Sequence, residues 1–167
     1  HDKTDITENT DPADIQPHIE IAYEIYDGET WSEATVLTDT ISRECQPTVA
    51  PSDNGWVIGW EQATAPEADA GQRNVRYTEI TTDDTVGTIE TIAEAAYPDT
   101  GAYADSGAVL GYASLNDGEP TAAVTTRIIG GSQTDSQRFS ATAIRSLTVG
   151  SDRLIWQEGS VSDPTLV

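Results

Sequence analysis

The sequence predicts an all-β fold of successive antiparallel sheets, and three observations carry that reading. Proline-led, aromatic-closed apolar strands recur about every 50 residues, a period typical of repeat architectures. Strand-length runs alternate apolar and polar residues. Gly, Asp and Asn clusters punctuate them at turn spacing. Pro47-Thr48-Val49-Ala50 leads through Asp53-Asn54-Gly55 into Trp56-Val57-Ile58-Gly59-Trp60. Pro98-Asp99-Thr100-Gly101-Ala102 leads through Asp105-Ser106-Gly107 into Ala108-Val109-Leu110-Gly111-Tyr112. A third copy runs from Ser146-Leu147-Thr148-Val149 through Gly150-Ser151-Asp152 to Arg153-Leu154-Ile155-Trp156. Trp60, Tyr112 and Trp156 are thus expected to be equivalent positions. Four-stranded β-propeller blades fit this period best.

The elements follow in chain order. Residues 1–15 are polar, acidic and aperiodic, and are read as a flexible arm. From Gln16 the fold begins: Ile19, Ile21, Tyr23 and Ile25 alternate with Glu20, Ala22, Glu24 and Tyr26, which predicts a strand with one buried face. Asp27-Gly28 makes the turn, and Trp31 to Leu37 supplies the next strand. The same pair recurs as Asn74 to Ile80, an acidic turn at Asp83-Asp84, and Val86 to Ile92. Thr121 to Ile129 is expected as a third strand, Gly130-Gly131-Ser132 with Asp135 as a loop, and Phe139 to Ile144 as a fourth. Pro164 to Val167 begins one more.

With strands lettered a to d within a blade, the chain reads as a partial blade (16–45), two full blades (46–95 and 96–144) and a partial blade (145–167). About three blades' worth of strands gives an open or partial ring, because propellers have 4 to 8 blades. A fragment of a longer chain, closure by assembly with other copies, and a non-propeller stack all remain open; the first is preferred. The absence of methionine likewise suggests a processed or excised piece. The unfinished first and last sheets are expected to pair their edges with other copies or with the remainder of the same polypeptide.

Composition narrows the function. With 29 acidic residues against 8 basic, the formal charge is −21 on 167 residues, which repels nucleic acid. Lys3 is the single lysine beside seven arginines, a halophile's bias rather than the lysine-plus-glutamate enrichment of thermophiles. Self-repulsion of this size is screened only at high salt, where the Debye length falls to about 3 Å at 1 M. No run approaches a membrane span. Cys45 has no partner cysteine and reads as a small hydrophobe, since His1 and His18 form no dyad with it.

One turn carries a family resemblance. Tyr26-Asp27-Gly28-Glu29-Thr30-Trp31-Ser32 resembles the Asp-box, or BNR repeat, of sialidase-like propellers, Ser-x-Asp-x-Gly-x-Thr-Trp. Gly28, Thr30 and Trp31 match in spacing, whereas Tyr26 and Glu24 occupy the pattern's Asp and Ser positions and Asp27 falls one place late. Thr81-Thr82-Asp83-Asp84-Thr85 departs further. With Gln16-Pro17, Gln46-Pro47 and Tyr97-Pro98 before strands, residues 16–167 resemble the secreted BNR-like propellers of halophilic archaea. The resemblance implies a propeller in which the box is a structural turn remote from any catalytic pocket, and an extracellular or cell-surface setting. Family sialidases also use an arginine triad, a Tyr-Glu pair, an Asp and an Arg-Ile-Pro signature; the signature is missing here.

No catalytic residue is therefore assigned. Arg43, Arg73, Arg76, Arg127, Arg138, Arg145 and Arg153 read as neutralising nearby carboxylates rather than as a substrate cluster. Glu61 and Glu158, after Trp60 and Trp156, are the best-placed carboxylates for a site. Trp56 opens its strand just after a turn, where it could stack on a sugar or a partner side chain; Trp31, Trp60, Trp156, Tyr23, Tyr77 and Tyr112 are expected in the core. No cofactor is implied. Asp27-Gly28-Glu29 and Asn116-Asp117-Gly118-Glu119 are turns first, with calcium or another cation as the alternative. Zinc clusters, phosphate loops and nucleophile elbows are missing from the sequence. The reading is a halophilic binding or structural module, with a sialidase-like glycoside hydrolase or lyase whose site lies on other blades as its rival.

Overall fold

The computed structural model describes residue 15 and residues 18–63, 73–102, 107–116, 119–129, 136–139, 144–150, 153–160 and 163–166. The predicted arm up to residue 14 and the predicted loop at 130–135 lie outside the described residues. What is described is all-β, in several small antiparallel sheets. None of these sheets closes on itself. A short hairpin, β1 (Ala22–Tyr23) and β2 (Thr35–Val36), comes first. The first four-stranded sheet follows as an up-down meander of β3 (Arg43–Ser52), β4 (Gly55–Ala63), β5 (Arg73–Thr81) and β6 (Glu90–Ile92). The second repeats it with β7 (Ala95–Ala102), β8 (Ala108–Asn116), β9 (Glu119–Ile129) and β10 (Ser136–Phe139). A third sheet holds β11 (Ile144–Val149), β12 (Leu154–Ser160) and β13 (Asp163–Leu166).

Expected boundaries move: the strands expected at Ile19 to Tyr26, Trp31 to Leu37 and Val86 to Ile92 shorten to Ala22–Tyr23, Thr35–Val36 and Glu90–Ile92. The last strand of the second sheet ends at Phe139, and Ile144, expected at that strand's end, instead opens β11. The reason is burial: Ile144 is fully enclosed with Ala113, Leu147 and Val149, so its contacts belong to the next sheet.

Register reveals how the repeat works. Thr48 pairs with Gly59, Asp99 with Gly111 and Thr148 with Ile155, in the first two strands of the three sheets. One step along, the pairs are Val49 with Ile58, Thr100 with Leu110 and Val149 with Leu154. Side chains of paired residues share a face and alternate along each strand. Val49, Ile58 and Trp60 therefore form one face of the first sheet, matched by Thr100, Leu110 and Tyr112, and by Val149, Leu154 and Trp156.

The faces of the second and third sheets are each covered by the opposite face of the preceding sheet. Ala50 and Val57 pack on Ala108, and Val75 and Tyr77 pack on Ala95, Leu110 and Tyr112. Val109 and Ala113 meet Leu147, Val149, Leu154 and Trp156. The close approach favours glycine: a Cβ on Gly111 would run into Val149 at 2.5 Å and Leu147 at 2.9 Å, and one on Gly59 would stand 3.0 Å from Leu110. Polar bonds repeat with the packing. The Thr100 amide donates to the Thr48 hydroxyl at 3.0 Å, and the Val149 amide donates to the Asp99 carboxylate at 2.7 Å. Thr48 in turn donates to Asp99 at 2.9 Å, so one polar chain ties all three sheets together.

The first strands share an irregularity too. The ladder shifts register between Cys45 and Thr48 and again between Ala96 and Asp99. Gln46 and Tyr97, each followed by proline, have φ of 53° and 54°. A bulky residue in the left-handed region costs about 1–3 kcal/mol, and proline at the next position disfavours it further. A strained bulge recurring at one strand position is strong evidence that the two sheets are repeats of one unit.

Candidate functional site

The face of the first sheet turned away from the second sheet is covered only in part. At one end Trp60, Ile58 and Ile80 pack against Ile21, with Tyr23 and Leu37 alongside. At the other end the hairpin leans away and leaves an apolar groove of about 550 Å³. Tyr23, Tyr26 and Trp31 form its hairpin wall, and Val49, Trp56 and Ile58 its sheet wall. Polar side chains on the lining are few, chiefly Glu24, since the Thr48 hydroxyl is turned to the second sheet. Trp31 is 64% exposed and Val49 60%, so a large apolar surface stands open among the described residues.

The hairpin wall is built by the turn. Asp27 Oδ1 accepts the amides of Glu29 and Thr30, each at 2.8 Å, while the Asp27 amide donates to the Thr30 carbonyl. These bonds favour the charged form and hold the Asp27 carboxyl below its ordinary value, the Thr30 amide contributing most. Gly28 sits at φ 106°, which the turn requires. Beyond it Tyr26 and Trp31 face each other across the hairpin with rings 5.1 Å apart and tilted by 37°. The Tyr23 hydroxyl donates to Asp84 at 2.7 Å, anchoring the hairpin to the acidic turn between β5 and β6; burial and then that carboxylate raise the tyrosine's pKa. In that second turn the Thr81 hydroxyl bonds Asp83 and lowers its pKa, and Asp84 adopts φ 64°. Asp27 and Asp83 spend their carboxylates on their own turns, and Asp84 spends its on the hairpin's Tyr23.

A second constellation is buried. Glu44 is fully enclosed; its Oε2 accepts the Trp60 indole N–H at 2.6 Å, and its Oε1 accepts from Gln62 and Thr40 at 2.8 and 2.9 Å. Arg76 lies 3.7 Å from Glu44 and over the Trp60 ring. Glu20 is buried beside it, accepting the Thr38 hydroxyl and the Thr40 amide. On the opposite face Glu61, 1% exposed, meets Arg73 at 3.5 Å and accepts the strained Tyr97 amide at 3.2 Å. Cys45, paired with Glu61 across the ladder, has its thiol pKa raised by burial and by that carboxylate. These carboxylates clamp the hairpin and the second sheet onto the first.

The residues singled out from sequence fall in different places. Trp56 lines the groove, whereas Glu61 is sealed between sheets and spent on Arg73 and Tyr97. Glu158 pairs with Ile144 and Thr165 on β12, its side chain outside the described residues. Trp60, Tyr112 and Trp156 lie on the second strands of their sheets, the first fully buried and the others half-buried. Gly28 and Thr30 shape the turn. Trp31 is corrected from core to groove wall, because the strand after the turn is reduced to Thr35–Val36 and carries no covering layer. Arg73 and Arg76 do neutralise carboxylates. Of the acidic turns considered for cations, residues 117 and 118 lie outside the described residues. Among the described residues no three His, Cys, Asp or Glu side chains gather as a metal site, and no helix is long and apolar enough to cross a membrane. Sequence reasoning missed Tyr26 and Val49 as groove residues, and Glu20 and Glu44 as buried anchors. Compared with protein-family models, characterised proteins and solved structures, the chain matches none.

Proposed function

We propose that the chain is a non-catalytic binding or structural segment of a sialidase-like β-propeller, working outside the cell in high salt, with its sheets as successive blades. The observation that carries the reading is the pair of equivalent inter-sheet faces, Val57 on Ala108 and Val109 on the Leu147–Leu154 cluster, which stack meander sheets first strand beside first strand. Glu61, one of the two carboxylates singled out for glycosidase chemistry, supports the non-catalytic half, since it is enclosed and bonded to Arg73 and the Tyr97 amide. The groove suits a protein face better than a sugar. Its wall is overwhelmingly apolar, whereas a hydroxyl-rich ligand needs convergent polar groups. The charge of −21 supports the saline setting.

Sialoside and aryl-glycoside assays in molar salt test the first half: no turnover is expected, and turnover abolished by Glu61→Gln would contradict it. Circular dichroism during dialysis tests the second, with loss of the strand spectrum expected at low salt. A spectrum and melting midpoint unchanged by the dialysis would contradict the saline setting.

A further inference from the structure

The groove is the unfilled copy of a contact the molecule makes twice, and the third sheet carries the face that would fill it. On the first sheet the covering face consists of Thr48, Val57 and Gly59, and on the second of Asp99, Val109 and Gly111. Register assigns the same positions of the third sheet to Thr148, Arg153 and Ile155. These residues are exposed, Ile155 by 52%, and no described strand lies over them. The receiving face is Thr100, Leu110 and Ala108 on the second sheet; its counterpart on the first is Val49, Ile58 and Trp56, the sheet wall of the groove.

We propose that the groove is a docking site for the third sheet of a second copy of this chain. The occupant follows from continuity with the internal contacts. Thr48 accepts the Thr100 amide and Asp99 accepts the Val149 amide, so the Thr148 hydroxyl of the second copy accepts the amide of Val49. Ile155 takes the place of Gly59 and Gly111, so its side chain enters the groove over Val49 and Ile58, where the internal interfaces carry no side chain. Arg153 takes the place of Val57, whose internal partner is Ala108. In the groove the matching residue is Trp56, so the small aliphatic pair is replaced by a guanidinium over an indole. The two faces differ and lie at opposite ends of the stack, so the contact is head-to-tail and propagates into a ring or a filament. Association brings two strongly acidic chains together and therefore requires screening salt.

The proposal rests on the blade reading above, but its test is separate from the turnover assay: a monomer without turnover would overturn the partner and leave the non-catalytic reading standing. Val49→Arg blocks the groove and Ile155→Arg blocks the third-sheet face, both at exposed positions where circular dichroism confirms an intact fold. Analytical ultracentrifugation in molar salt is expected to find the native chain associating with rising concentration, each variant alone monomeric, and an equal mixture of the two forming a heterodimer through the one intact groove and the one intact face. A native chain that stays monomeric, its groove filled from within the chain, overturns the proposal. So does association that survives either variant, or a mixture that fails to pair.

Discussion

The two faces of the first sheet solve the same problem with different means. Toward the second sheet, Val57, Val75 and Tyr77 meet Ala95, Ala108 and Leu110, and Glu61 ties the strained bulge of Tyr97 across the interface. Toward the hairpin, Trp60 and Ile58 receive a thin cover of Ile21, Tyr23 and Leu37, pinned by the buried carboxylates of Glu20 and Glu44. A two-residue ladder cannot supply a sheet's worth of apolar area. Anchored bonds at one end and an open groove at the other are the consequence, which locates binding capacity where the internal repeat is incomplete.

The largest effect that sharpens this comparison is at Trp60. Replacing it with alanine removes a fully buried ring and leaves Glu44 Oε2 without its indole donor, at a cost of about 3–5 kcal/mol. Trp31→Ala, at the exposed wall of the same groove, is expected to change stability by no more than about 0.5 kcal/mol. Denaturant unfolding in molar salt measures both. Equal losses would erase the distinction between anchored end and open end.

A smaller effect concerns the hairpin turn alone. Asp27's folded pKa lies below its ordinary 3.8, so its contribution is fully present above that value and is lost as pH falls through the lowered one. Because the group is exposed, the change is local. The Thr30 and Glu29 amide resonances are expected to shift only in that acidic window, ahead of the core, and to lose the transition in Asp27→Asn. A transition unchanged by the substitution would detach the turn from its carboxylate.

Much of the fold was legible in the sequence because its signals are local. Proline in the first strand, glycine at the close-approach position and an aromatic residue one step later recur at Pro47, Gly59 and Trp60 and at Pro98, Gly111 and Tyr112. Trp56's place just past a two-residue turn was legible for the same reason, and the structure sets it in the sheet wall of the groove. The burial of Glu44 and Glu61 was not. Their partners, Trp60, Gln62, Arg73, Arg76 and Tyr97, come from other strands, and an acidic residue on a strand carries no local mark of whether arginine waits across the ladder. Trp31 misled for the opposite reason: a tryptophan in an apolar run signals a core only where another layer arrives to cover it.

Hydrogen exchange at three equivalent amides, Val49, Thr100 and Val149, tests the central claim most directly. Thr100 and Val149 donate to Thr48 and Asp99 across the filled interfaces and are expected to exchange slowly at every protein concentration. Val49 is expected to exchange fast in dilute solution and to slow as concentration rises in molar salt and the groove fills. A Val49 amide as protected as the other two at all concentrations, or Thr100 and Val149 amides that exchange as fast as an open edge strand, would contradict the account.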